Sequence, residues 1–121
     1  MTLRKLIEVV EAGEWPDGLV IPAPFTGTPQ TGYAVTEAFH GSLDAAKALH
    51  DALLPRWRFV LRNTTQQDVD RGECKEGDKG FANVWPRESP NDGGAYFHAF
   101  ADTAARAWLL AILRALEGTT Q

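Results

Sequence analysis

Two segments, Ser42–Pro55 (SLDAAKALHDALLP) and Asp102–Gly118 (DTAARAWLLAILRALEG), read as capped amphipathic helices, and the residues between them alternate as strands do. Helices on both sides of a β run, in a chain of 121 residues, leave room for one shared core and so for a single α+β domain over 1–121. In the earlier segment Ser42 is the N-cap, and Asp44 in the first turn complements the helix dipole. Leu43, Ala46, Leu49 and Leu53, with Ala45 and Ala52, supply its apolar face. Lys47, His50 and Asp51 fall mainly elsewhere, and Pro55 ends a helix over 43–54. In the later segment Asp102 or Thr103 caps a helix on which Ala105, Trp108, Leu109, Ile112, Leu113 and Leu116 recur with helical period. Gly118 stands where a C′ glycine is expected, followed by a frayed tail over 119–121. Each large side chain buried from this helix contributes roughly 1.5–3 kcal/mol before entropy, which makes it the hydrophobic anchor.

Between the helices, Trp57–Arg62 mixes aromatic and branched residues as a strand does, and Phe81–Trp85 alternates up to the stop at Pro86. Ala95–Ala101 gives a third strand with Tyr96, His98 and Phe100 on one face and Phe97 on the other. The connection 63–80 is polar and reads as an exposed loop or long hairpin connection, and Arg87–Gly94 has turn composition. Sequential strands with such connections predict an antiparallel meander. Before them, Leu3, Leu6, Ile7 and Val10 define a helix over 3–12, capped by Thr2 and ended by Gly13. Trp15-Pro16-Asp17-Gly18 forms a turn, and Leu19–Gly32 reads as a loop over the domain, pinned by Phe25 and the Val20-Ile21 pair. Tyr33–Phe39 makes a short helical piece ended by Gly41.

Charge and composition narrow the function classes. Twelve Lys and Arg against sixteen Asp and Glu give a net charge of −4, so nucleic-acid binding is disfavoured, with Arg56, Arg58 and Arg62 left as a local basic stripe. Cys74 is the single cysteine, which excludes an internal disulfide and suits a reducing cytoplasm. Glu8 and Glu11 break the apolar positions near the start, so no secretory signal is read there. The longest apolar stretch, Ala107–Leu113, falls well short of the roughly 20 residues that a membrane span needs. The expectation is a soluble cytoplasmic protein.

Metal binding would draw on His40, His50, His98 and Cys74, but structural sites use close ligand pairs, and none is present here. Cys74 lies in a charged loop between Glu73 and Lys75, where a preorganised nucleophile is not expected. The carboxylates Asp68, Asp70, Glu73, Glu76 and Asp78 lack the ligand order of a calcium loop and read as a solvated surface. No phosphate-cradling glycine motif, serine elbow or dinucleotide fingerprint occurs. The sequence therefore predicts no catalytic, cofactor-binding or metal-binding residue, and no enzyme. Tryptophans at 15, 57, 85 and 108 are numerous for this length. Trp108 belongs on a core face, whereas Trp57 and Trp85 at strand ends are expected at the sheet rim. With Tyr96 and His98 they form a candidate contact surface, Trp57/Trp85/Tyr96/His98. The competing account is that a small sheet uses tryptophan to fill its core.

The blocks Leu6–Trp15 (LIEVVEAGEW), Gly41–Pro55 (GSLDAAKALHDALLP) followed by Trp57, and Ala104–Leu116 (AARAWLLAILRAL) resemble small phage and prophage proteins of the phage ABA sandwich domain family. The similarity spans most of the chain and is weakest across Pro16–Tyr33 and 63–80, where this chain has the longer polar insertion. The matching positions are caps, alanines and leucines. The resemblance implies a sheet layered between helices, an α-β-α sandwich-like arrangement, and carries no activity or catalytic residues to transfer. The function expected is that of a non-enzymatic phage or prophage accessory protein in the cytoplasm of a bacterial host. It would work through contact with a protein partner or as a homodimer. The alternative is a small-molecule or nucleotide-binding domain using the sheet face near His98.

Overall fold

The computed structural model describes residues 2–16, 29–86 and 96–119. Asp17-Gly18 of the first turn, the anchors Val20, Ile21 and Phe25, the turn Arg87–Gly94 and the last two tail residues lie outside the described residues. The elements run α1 (Leu3–Ala12), α2 (Pro29–Phe39), α3 (Leu43–Leu53), β1 (Trp57–Asn63), α4 (Gln66–Asp70), β2 (Gly80–Pro86), β3 (Phe97–Ala101) and α5 (Ala104–Thr119). The fold is α+β, and the sheet is an antiparallel meander in the order β1-β2-β3.

The caps form as the side chains dictate. Thr2 Oγ1 accepts the Lys5 N–H at 3.1 Å, Ser42 Oγ accepts the Ala45 N–H at 3.1 Å, and Thr103 Oγ1 accepts the Arg106 N–H at 3.1 Å. Gly13 closes α1 in the left-handed region at φ 76°, where its N–H reaches the carbonyls of Val9 and Val10. Several boundaries differ from the sequence reading: β1 runs on to Asn63, β2 includes Pro86 rather than stopping before it, and β3 is described from Phe97. The helix α2 begins at Pro29 rather than Tyr33, because proline's fixed φ suits a first helical position. The polar connection contains α4, held by a capping box in which Thr65 and Asp68 satisfy each other's backbone N–H. Gly118 lies inside α5 rather than after it, and the Phe97 ring occupies the space where a Cβ would stand, at 2.6 Å.

The helix α5 is the centre of the molecule. Ala107 through Leu113 are all buried, so its apolar run reflects burial on every side rather than one face. One side packs on β2 and β3, and the other receives α1, α2 and α3. Leu6, Ile7, Val35, Leu49, Ala82, Val84, Ala99, Leu109, Ile112 and Leu113 belong to one continuous core. The longer helices thus stand on one side of the sheet, and among the described residues the opposite side carries only the five-residue α4 and its flanking loop. No helix among the described residues is long and apolar enough to cross a membrane.

Candidate functional site

The register decides which side chains meet. Trp57 faces Pro86 across β1 and β2, Arg58 faces Trp85, and Val60 faces Asn83, while Asn83 faces His98 across β2 and β3. Side chains alternate along a strand. Trp57, Phe59 and Leu61 therefore share the helix-covered face with Ala82, Val84, Phe97, Ala99 and Ala101. The opposite, open face carries Arg58, Val60, Arg62, Phe81, Asn83, Trp85, Tyr96, His98 and Phe100. On it the Phe81 and Phe100 rings lie 4.9 Å apart, and Trp85 and Tyr96 5.7 Å apart. Tyr96 is 47% exposed and Val60 44%. Asn83 Oδ1, on the central strand of this face, is enclosed with no hydrogen-bond partner.

Arg62 ties the short helix to this face. Its guanidinium lies 4.3 Å from the Phe81 ring centroid and grips Asp68 through two nitrogens, at 2.8 and 3.2 Å. Asp68 also accepts the Thr65 N–H at 2.8 Å, so Arg62 first and Thr65 second hold its carboxyl well below the usual carboxylate range. The same pairing pushes the Arg62 guanidinium up. Asp68 is buried, which corrects its reading as one of several solvated loop carboxylates. Beyond Arg62, an open-sided groove of about 1020 Å³ runs between the loop at Cys74, the sheet at Phe81, Asn83, His98 and Phe100, and the arginines of α5. Those arginines are engaged. Arg106 pairs with Asp102 at 2.8 Å, and Arg114 pairs with Glu11 at 3.3 Å while donating to the His98 carbonyl at 2.7 Å.

The structure brings Trp85, Tyr96 and His98 of the expected contact surface onto the open face and separates Trp57 from them. Trp57 is half-buried and packs toward Phe97, at 6.1 Å between ring centroids. Phe81, Phe100 and Arg62 complete the surface. The signal that could have found them is their even spacing from Asn83, His98 and Val60. Cys74 is half-buried, and burial first, then Asp78, Asp68 and Glu73, push its thiol up, away from the thiolate. The described residues contain no group of three or more His, Cys, Asp or Glu placed to hold a metal ion.

His50 lies on the core side of α3 at 2% exposure, while Leu43 is 48% exposed, so the buried face is turned from the one expected. The ring is held at both ends. Its Nδ1 accepts the Trp108 indole N–H at 3.2 Å, and its Nε2 donates to the Trp57 carbonyl at 2.9 Å. This pairing selects the neutral Nε2–H tautomer, because a proton on Nδ1 would confront the indole N–H. Burial lowers the His50 pKa from 6.5 and outweighs the opposing Trp57 carbonyl and Asp51 charge. The unfolded chain then binds more protons below pH 6.5, so this contribution is complete above that pH and declines as the pH falls. His50→Gln keeps one acceptor and one donor but cannot titrate. Urea midpoints between about pH 7.5 and 5.5 should fall more steeply for the parent protein than for this variant.

Comparison with known protein families, with curated proteins and with solved structures finds no match for this chain.

Proposed function

We propose that this chain is a small non-enzymatic accessory protein of a phage or prophage, working in the cytoplasm of a bacterial host through contact with a protein partner. The observation that carries the contact reading is the open face, where Phe81, Trp85, Tyr96, His98, Phe100 and two arginines share one surface opposite the long helices. Aromatic residues and arginine are the types that dominate protein interfaces. The phage setting rests on the resemblance of the α1, α3 and α5 sequences. The raised pKa of Cys74, and the Phe81 and Phe100 rings as His98's neighbours, support a non-catalytic role.

The test is affinity capture of the tagged chain from phage-producing cells, in parent form and as a Trp85→Ser/Tyr96→Ser variant. A stoichiometric protein retained by the parent and lost by the folded variant is expected. Recovery of the parent as a lone monomer would sink the reading, and a dimer of the chain alone would replace the partner with a second copy.

The groove beside His98 favours a second reading, small-molecule or nucleotide binding. Its three arginines are already paired with Asp68, Asp102 and Glu11, which leaves Lys75 as the lining cation outside the ion pairs of the described residues. That ranks it behind protein contact. A nucleotide that raised the melting temperature would reverse the order.

A further inference from the structure

Among the described residues, the outer edge of β1 is closed at its start, partly used at its end and open in its middle. The Thr64 N–H donates to the Lys79 carbonyl at 3.0 Å, across a directly opposed pair that continues the β1–β2 register. Directly opposed residues that exchange this bond alternate with those that do not. Arg58, Val60 and Arg62 therefore point their backbone groups at β2, and Trp57, Phe59, Leu61 and Asn63 point theirs outward. Most of the outward groups at the ends are used within the chain, the Asn63 N–H excepted among the described residues. The Trp57 N–H donates to the Leu54 carbonyl at 3.0 Å, its carbonyl accepts from His50 at 2.9 Å, and the Asn63 carbonyl accepts from Arg62 at 3.1 Å. Among the described residues, the N–H and C=O of Phe59 and of Leu61 have no partner. Such an edge is a template for another strand. Beside it, Phe59 is 36% exposed, and Arg56 and Arg58 are exposed with no ion pair among the described residues.

We propose that β1 accepts an extended acidic segment of a partner protein as a fourth strand, paired through the outward backbone groups of Phe59 and Leu61 and flanked by Arg56 and Arg58. This rests on the protein-contact reading above and names how the partner is held. Two observations select the occupant. Unpaired guanidiniums beside the edge call for carboxylates. Centred on Val60, a second copy of the chain would set Arg58 of each copy against Arg62 of the other, like charges directly opposed. Added strands gain affinity from main-chain hydrogen bonds and specificity from alternate side chains, and the bound strand would extend the open aromatic face at Arg58, Val60 and Arg62.

The experiment uses the full chain, labelled for amide exchange by NMR, and a peptide of about ten residues alternating valine and glutamate, long enough to span β1. A lysine-for-glutamate peptide is the control. The glutamate peptide should bind at least about tenfold more tightly and slow exchange of the Phe59 and Leu61 amides about tenfold, with Val60 already protected in the free chain. Arg58→Glu, at an exposed position, should reverse the preference between the peptides. Equal binding of both, or binding without slowing at Phe59 and Leu61, overturns the proposal. Protection of those two amides in a free chain of doubled native mass would also overturn it and assign the edge to a second copy. The contact reading fails separately, in the capture experiment, because a lone parent monomer there does not depend on how β1 behaves toward the peptide.

Discussion

Trp108→Ala should lower the unfolding free energy by about 4 kcal/mol, read from a urea transition whose slope is unchanged. Trp108 is buried in α5, with Phe59 at 4.4 Å and His50 at 5.6 Å between ring centroids. Truncation removes a large ring from the junction of α3, α5 and β1, and the surrounding helices cannot collapse fully into the space. It also leaves His50 Nδ1 without its donor. Trp108→Phe separates these effects: it keeps most of the ring but not the indole N–H, and should cost about 1–2 kcal/mol. A loss below about 1 kcal/mol for Trp108→Ala would mean that this junction is not a packed core.

Gly80→Ala should cost on the order of 3 kcal/mol. Gly80 is buried at the start of the central strand, opposite Asn63 on one side and Ala101 on the other. A Cβ there would stand 2.4 Å from the Ala104 nitrogen and 2.5 Å from its Cα, where α5 begins. The obstacle is backbone, so relief requires α5 to shift from the sheet that it covers. Two other glycines provide the scale. At Gly118 the obstacle is the tip of the Phe97 ring at 2.6 Å, which can turn aside, and alanine is the better helix former, so Gly118→Ala should cost less. Gly77 has nothing within 4 Å, and Gly77→Ala should leave the urea midpoint nearly unchanged. Equal midpoints for the Gly80 and Gly77 variants would contradict the close contact between β2 and α5.

What could be read from the sequence was local. Thr2, Gly13, Ser42 and Thr103 act at their own helix ends, and the alternation in 81–85 and 97–101 belongs to single strands. The capping box of α4 was also present, as Thr65 three residues before Asp68, but the polar composition around it lacks the apolar period that marks a helix. The candidate surface depended on something non-local. Trp57 and Trp85 both end strands and look alike in sequence, yet the hairpin register sets Trp57 opposite Pro86, so Trp85 turns to the other face. A register shifted by one residue would have joined them. His50 was hidden for a related reason: its place in the core is fixed by Trp108 and the Trp57 carbonyl, which reach it from a distant helix and the next strand. The open face itself follows from where α5 packs, a choice that the amphipathic pattern of a three-stranded sheet leaves undecided.

The central claim is that the face opposite the long helices is the working surface. The most direct measurement is residue-resolved amide exchange of the chain, free and in complex with the protein it captures. The account predicts new protection at Tyr96, His98 and Phe100, whose amides point away from β2, with the outer surfaces of α1 and α3 unchanged. A footprint on α1 and α3, with those three amides exchanging as in the free chain, would contradict it.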